Sequence, residues 1–151
     1  MTDYTIDELI CVCITRQIED GEVVAQGFIN QGADVIFGVG WNTGNGGLLA
    51  AQEAGLMAIG VDMDQYFTYP EVREALLTSA SKNVDVATGA AVKEFAAGQL
   101  ASGIRTATVA NGEVGLAPYH DWESRIPDVC KERVKAAEEA IKADPAVTGA
   151  K

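Results

Sequence analysis

The sequence predicts an α/β protein whose mainly parallel sheet is flanked by helices. Residues 35–39 and 57–61 are short apolar runs rich in β-branched side chains, which is typical of strands buried on both faces. Between them lie a glycine-rich turn at 40–47 and a helix at 48–54, closed by Gly55. A strand, a helix and a second strand in this order form one right-handed βαβ unit with parallel strands.

The segment before this unit is predicted to be helical. Residues 5–19 carry apolar side chains at the spacing of an amphipathic helix, with Thr5 as N-cap and Glu8 completing a capping box. The apolar stripe consists of Ile6, Leu9, Ile10, Cys13, Ile14 and Ile18. Residues 22–31 fit either a second helix or a short strand, and the pattern leaves both open.

After the βαβ unit the chain again alternates between elements. Pro70 begins a helical piece that extends to Leu77, residues 82–97 form a longer helix, and residues 105–109 are a candidate strand. The last helix begins at Pro127. Each long helix has a predicted buried stripe: Val84, Ala87, Ala91 and Phe95 on the first, and Cys130, Val134, Ala137 and Ile141 on the second.

Composition excludes several classes of function. The chain has 151 residues, the size of one domain, and a net charge of −11, which argues against nucleic acid or an anionic membrane as the main partner. No apolar run is long enough to span a bilayer, and the first residues do not form a secretory signal, so we expect a cytoplasmic location. Three cysteines and one histidine indicate no disulfide framework, metal site, catalytic triad or cofactor.

Polar residues follow the two strands of the βαβ unit, where ligands of open α/β sheets bind. The first group lies in the glycine-rich turn and contains Trp41, Asn42, Thr43 and Gly44; the second contains Asp62 and Asp64. The turn fits a ligand loop, with the Trp41 ring as a stacking surface, or a tight connection without function. Asp62 fits a ligand for a vicinal diol or a helix N-cap. Lys82, near a helix start, is a surface lysine by default.

Several motifs in a fixed order carry a family resemblance. They are G-A-D-V-I-F at 32–37, T-G-N-G at 43–46, A-I-G-V-D-M-D-Q-Y at 58–66, L-T-S at 77–79 followed by K-N-V-D-V-A at 82–87, and G-L-A-P-Y-H-D at 115–121. From about residue 31 to residue 143 the chain resembles the C-terminal half of the basic membrane protein family, nucleoside-binding lipoproteins that serve ABC transporters.

This resemblance implies one lobe of a periplasmic-binding-protein-like fold, of Rossmann-like or flavodoxin-like topology, with purine nucleosides as ligands and without catalysis. It implies that Asp62 binds the ribose hydroxyls and that Lys82 lines the cleft. We expect Trp41 or Tyr66 to lie against the base. The family is extracytoplasmic and membrane-anchored, and its cleft lies between two lobes, of which only one is expected in this chain.

Residues 1–28 instead are similar to the opening of a CoA-transferase subunit, without the region that carries that family's catalytic glutamate. We therefore expect an N-terminal helical segment at 1–30 and a substrate-binding lobe at 31–151. A lobe without its counterpart exposes an apolar face, which predicts a homodimer. Two alternatives to nucleoside binding are a CoA-transferase-related fragment that docks on a partner and an orphan fusion domain without retained activity.

Overall fold

The computed structural model describes residues 21–149, in which helices alternate with the strands of one sheet. The elements are α1 (Gly21–Asn30), β1 (Val35–Phe37), α2 (Trp41–Glu53), β2 (Met57–Asp62), α3 (Gln65–Thr68), β3 (Leu76–Lys82), α4 (Val84–Ala96), β4 (Val114–Leu116) and α5 (Asp128–Ala143). Short 3-10 helices lie at Pro70–Val72, His120–Trp122 and Pro145–Thr148. The predicted helix at 5–19, with Cys11 and Cys13, lies outside the described residues.

The four strands form a sheet in the order β1-β2-β3-β4. β1, β2 and β3 are parallel, and β4 pairs antiparallel with β3. The predicted α/β class with a mainly parallel sheet is therefore confirmed, including the adjacent strands of the βαβ unit and the helix between them. Because β2 and β3 are parallel, their carboxyl ends meet at one edge of the sheet.

The hydrophobic core lies between α1, α2 and the first strands. Leu48 of α2 is fully buried and packs in one cluster with Ala25 of α1, Ile36 of β1 and Ala58 of β2. Burial of a leucine side chain contributes about 1.5–3 kcal/mol, so Leu48 stabilises the packing of α2 against α1 and the sheet. The open alternative at 22–31 is resolved in favour of a helix. The boundary predicted at residue 30 stays a prediction.

The glycine-rich turn predicted at 40–47 is wrong, because α2 already begins at Trp41. A Cβ atom on Gly44 would meet the carbonyl oxygen of Gly38, and one on Gly46 would lie 2.9 Å from the backbone nitrogen of Glu22. These glycines therefore allow close packing between backbones, and they are not there to make a flexible turn.

The helix predicted from Pro70 to Leu77 is also wrong. Only Pro70–Val72 forms a 3-10 turn, and Leu76–Lys82 is β3, one of the two interior strands of the sheet. The hydroxyl side chains of β3 interrupt the apolar run that is typical of a buried strand, but inside the fold they form hydrogen bonds. Thr78 Oγ1 donates to the carbonyl of Ala117 at 2.7 Å, and Ser79 Oγ accepts from the backbone N–H of Gln65 at 3.1 Å. Lys82 consequently ends a strand and does not begin a helix.

The strand predicted at 105–109 is wrong as well. Thr108 takes part in a turn, where its backbone N–H donates to Asn111 Oδ1 and its carbonyl accepts from the backbone N–H of Glu113. This turn brings the chain back to β3 only at Val114, where β4 begins.

The predicted buried stripes of the two long helices are wrong in the described part of the chain. Neither α4 nor α5 contains a buried residue, and Phe95 is 74% exposed. Cys130 is an exposed free thiol. An amphipathic pattern indicates that a helix has an apolar face but not how far other elements cover it. Here the coverage is partial, since Ala87, Ala91 and Ile141 are half-buried.

Candidate functional site

Asp62 and Lys82 form an ion pair at the edge of the sheet. Each is the last residue of its strand, and Lys82 Nζ lies 2.5 Å from Asp62 Oδ1. The side chains are 69% exposed for Lys82 and 38% exposed for Asp62, so solvent screens the pair, and exposed pairs stabilise a fold by about 0–1 kcal/mol. Asp62 also has a left-handed backbone with φ 69°, a conformation that residues with a side chain rarely adopt, although aspartate tolerates it better than most. Stability therefore does not account for this arrangement.

A cavity of about 230 Å³ adjoins Asp62. Its lining consists of Trp41, Asn42, Asn45, Val61, Asp62, Met63, Gln65, Thr68 and Tyr69. Trp41 is 79% exposed and has a left-handed backbone with φ 56°. Three of the residues predicted for the site, Trp41, Asn42 and Asp62, therefore line one cavity. Lys82 does not line it but forms an ion pair with Asp62, which does.

Thr43, Gly44 and Asp64, also predicted for the site, are not among the residues that line this cavity. Gly44 is buried, and the carbonyl of Thr43 lies where a Cβ atom on Gly21 would be. Asp64 is the N-cap of α3, because its Oδ1 accepts from the backbone N–H of Tyr66 at 3.2 Å. The N-cap role that the sequence offered to Asp62 thus belongs to Asp64.

Tyr66 belongs to an aromatic cluster outside the cavity. Its ring stacks on His120 with centroids 4.0 Å apart, and its hydroxyl donates to Asp121 Oδ2 at 3.0 Å. The hydrogen bond to Asp121 raises the pKa of Tyr66 above its usual value of 10.0. His120 Nε2 lies 2.7 Å from Asp64 Oδ2. The cluster therefore fixes Asp64, the N-cap of α3, which lies two residues beyond Asp62.

Sequence reasoning missed six residues of the cavity wall, and two of them, Gln65 and Asn45, are joined by a hydrogen bond. Gln65, only 7% exposed, accepts from the backbone N–H of Val61 through Oε1 at 2.8 Å. Its Nε2 donates to Asn45 Oδ1 at 2.8 Å. Both residues lie in motifs that carry the family resemblance, Gln65 at 58–66 and Asn45 at 43–46, but neither was predicted as a site residue.

A larger open groove of about 810 Å³ lies between α5 and residues 109–119. Its lysines are partly neutralised, since Lys131 pairs with Glu123 and Lys142 pairs with Glu138. None of the residues predicted for the site lines it. Converging polar groups define a ligand site better than volume does, so we assign the site to the smaller cavity.

Metal and membrane features are absent from the described residues. Within residues 21–149, no group of His, Cys, Asp and Glu side chains is arranged to hold a metal ion. In the same range no helix is both long and apolar enough to cross a bilayer. The location of the chain in the cell stays a prediction.

Comparison with known proteins identifies the family. The sequence profile of the Bmp family, described as ABC transporter substrate-binding protein PnrA-like, matches residues 16–143. The chain belongs to the Bmp family. This confirms the resemblance drawn from the motifs, and the role of the family is to bind small-molecule substrates rather than to catalyse a reaction. The similarity to a CoA-transferase at 1–28 stays a prediction, and most of that stretch lies outside the described residues.

The Bmp fold is also found in a solved structure. The crystal structure of a transcriptional activator of the comK gene from Bacillus halodurans matches with a TM-score of 0.70 and 23% sequence identity. The match covers 88% of this chain and 44% of that one, so the chain spans less than half the length of that protein. At this identity the match shows the fold alone. No curated protein sequence matches the chain.

Proposed function

We propose that this Bmp chain is a non-catalytic lobe that binds a purine nucleoside. The observation that carries the proposal is the Asp62–Lys82 pair on the wall of a cavity, where a left-handed Asp62 adds little to stability. The membership of the chain in a family of substrate-binding proteins supports a ligand at this place.

The chemistry of these side chains fits a ribose. A carboxylate accepts two hydrogen bonds, and a vicinal diol donates two, so Asp62 can hold both hydroxyls. Lys82, 2.5 Å from one carboxylate oxygen, is placed to donate to a hydroxyl oxygen beside it. The exposed Trp41 ring on the same cavity offers an apolar face on which a base can stack.

We expect weak binding, because the cavity of about 230 Å³ is below the 300–1,000 Å³ typical of ligand pockets. Calorimetry with guanosine, inosine and adenosine at concentrations up to millimolar tests the proposal. Asp62→Asn leaves one acceptor oxygen and removes the charge. Because a hydrogen bond to a charged group contributes about 1.5–3 kcal/mol, we expect affinity to fall at least tenfold.

Asp34→Asn is the matched control, because it makes the same chemical change on an exposed side chain just before β1, at the opposite edge of the sheet. We expect this variant to bind like the unmodified chain. Equal affinity of Asp62→Asn and Asp34→Asn would remove Asp62 from the site. Heat with CoA esters and none with nucleosides would favour the CoA-transferase alternative, and no heat with either would favour the orphan domain.

We also propose that the chain forms a homodimer. Val84, Val92 and Phe95 are exposed on α4. Exposed apolar side chains of this kind favour an interface, and in a homodimer the second copy of the chain covers them.

A further inference from the structure

The starting point is a backbone donor beyond the end of β1. β1 pairs with β2 as far as Phe37 and Ile59, after which the Gly38 N–H donates to the Ile59 carbonyl at 2.9 Å. Two residues further along β2, the Val61 N–H faces the same side, and β1 no longer extends that far. Gln65 Oε1 accepts this hydrogen bond at 2.8 Å, in the place of the missing strand residue.

This hydrogen bond fixes which way the Gln65 amide faces. A backbone N–H can only donate, so the oxygen of the amide must be the atom next to Val61. The nitrogen therefore faces Asn45, where Nε2 donates to Oδ1 at 2.8 Å. Gln65 is only 7% exposed, so water does not replace these contacts at low cost.

The orientation of the Asn45 amide is consequently fixed as well. Its oxygen is held towards Gln65 and uses one of its two lone pairs there, so the group that the side chain presents away from Gln65 is the Nδ2 amide, which has two hydrogens to donate. Among residues 21–149, no protein acceptor bonds to this nitrogen, and no buried side-chain donor lacks a partner, so Nδ2 is open to solvent. Asn45 lines the same cavity as Trp41 and Asp62.

We propose that Asn45 selects 6-oxopurine nucleosides, such as inosine and guanosine, over adenosine; this rests on the proposed nucleoside site. An asparagine with both amide atoms free pairs with adenine, because adenine offers an acceptor at N7 and a donor at N6. A 6-oxopurine offers two acceptors, N7 and O6. Because the oxygen of Asn45 is held towards Gln65, Asn45 presents its donor to the base; it bonds to N7 and O6 and does not offer its oxygen to the amino group of adenine.

Calorimetry with inosine and adenosine, which differ in the group at position 6 and in the hydrogen on N1, tests this selectivity. We expect inosine to bind about tenfold more tightly, since a well-placed base contact gives about 1–3 kcal/mol of discrimination. Asn45→Asp keeps an acceptor for Gln65 and replaces the donor with an acceptor. We expect this variant to prefer adenosine. The ratio of the two affinities is the readout, because partial unfolding and repulsion between the carboxylate and N7 weaken the binding of both nucleosides alike, whereas repulsion from O6 weakens only that of inosine.

Asn30→Asp, at the far end of α1, is the matched control and keeps the preference for inosine. Gln65→Glu tests the fixed orientation without changing Asn45. Its carboxylate accepts from Val61 and from Asn45, which must then turn its nitrogen towards residue 65 and its oxygen towards the cavity. We expect the preference to move towards adenosine.

Equal affinity of the unmodified chain for inosine and adenosine would overturn this inference and leave the proposed function standing. No heat with either nucleoside would overturn both. An unchanged preference for inosine in Asn45→Asp would also remove Asn45 as the selecting residue, and an unchanged preference in a folded Gln65→Glu would refute the fixed orientation.

Discussion

Substitution of Gly44 by alanine tests whether the glycines of α2 serve packing. The new Cβ atom would meet the carbonyl oxygen of Gly38, lie 2.8 Å from the carbonyl carbon of Gly38 and 3.2 Å from that of Val39. All three are backbone atoms, so α2 must shift away from the end of β1. Overpacking costs about 1–3 kcal/mol, and a backbone obstacle places this case at the upper end. Alanine recovers about 1 kcal/mol of helix propensity, which leaves a net loss of about 2 kcal/mol.

Gly89→Ala in α4 is the matched control, because no atom lies within 4 Å of its Cβ position. There we expect only the gain in helix propensity, about 1 kcal/mol. In a chain of this length 1 kcal/mol corresponds to about 2–4 °C, so the midpoint of thermal unfolding falls by about 4–8 °C in Gly44→Ala and rises by about 2–4 °C in Gly89→Ala. Circular dichroism measures both. A Gly44→Ala protein as stable as the unmodified chain would refute the packing role.

Two further expectations concern pH and assembly. Asp121 raises the pKa of Tyr66, so the folded chain holds this proton more tightly than the unfolded chain does, and stability is lost as pH rises above about 10. Tyr66→Phe should lessen that loss, and urea unfolding between about pH 9 and pH 11 measures the free energy of unfolding. If this free energy falls with pH equally steeply in Tyr66→Phe, the hydrogen bond between Tyr66 and Asp121 does not cause the loss. A homodimer should scatter light with twice the 15.9 kDa mass of one chain. Phe95→Asp should halve that mass whereas Val23→Asp, also exposed but on α1, should not; a chain that is already monomeric would refute the dimer.

The parts of the fold that were predictable are those whose pattern is local. β1 and β2 are apolar runs, and their identity follows from a few adjacent residues. β3 was not predictable in this way, because Thr78 and Ser79 make an interior strand look polar. Their hydroxyl groups bond to Ala117 and Gln65, which are distant in sequence, so the pattern becomes readable only when the partners are in place.

The candidate site was likewise predictable only in part. The rule that ligands bind beyond the carboxyl ends of parallel strands pointed to Trp41, Asn42 and Asp62 without coordinates. The rule also reaches the turn that contains Asn45, but it does not single out Asn45 or Gln65, because their role depends on hydrogen bonds that begin at the backbone of β2. The helical pattern likewise indicated apolar faces on α4 and α5 but contains no information about what covers them.

Backbone strain in this chain is concentrated around the site. Within residues 21–149, the non-glycine residues with positive φ are Trp41, Asp62 and His120. Trp41 and Asp62 line the cavity, and His120 bonds to Asp64, the N-cap that directs the chain after Asp62. A left-handed residue costs about 1–2 kcal/mol, and the exposed pair of Asp62 with Lys82 returns at most about 1 kcal/mol. A fold selected for stability alone would place glycine at such positions, since even asparagine and aspartate, which adopt this conformation more readily than other residues, retain a Cβ atom. The side chains that occupy them instead, an indole and a carboxylate, are those with which a nucleoside can be stacked and hydrogen-bonded.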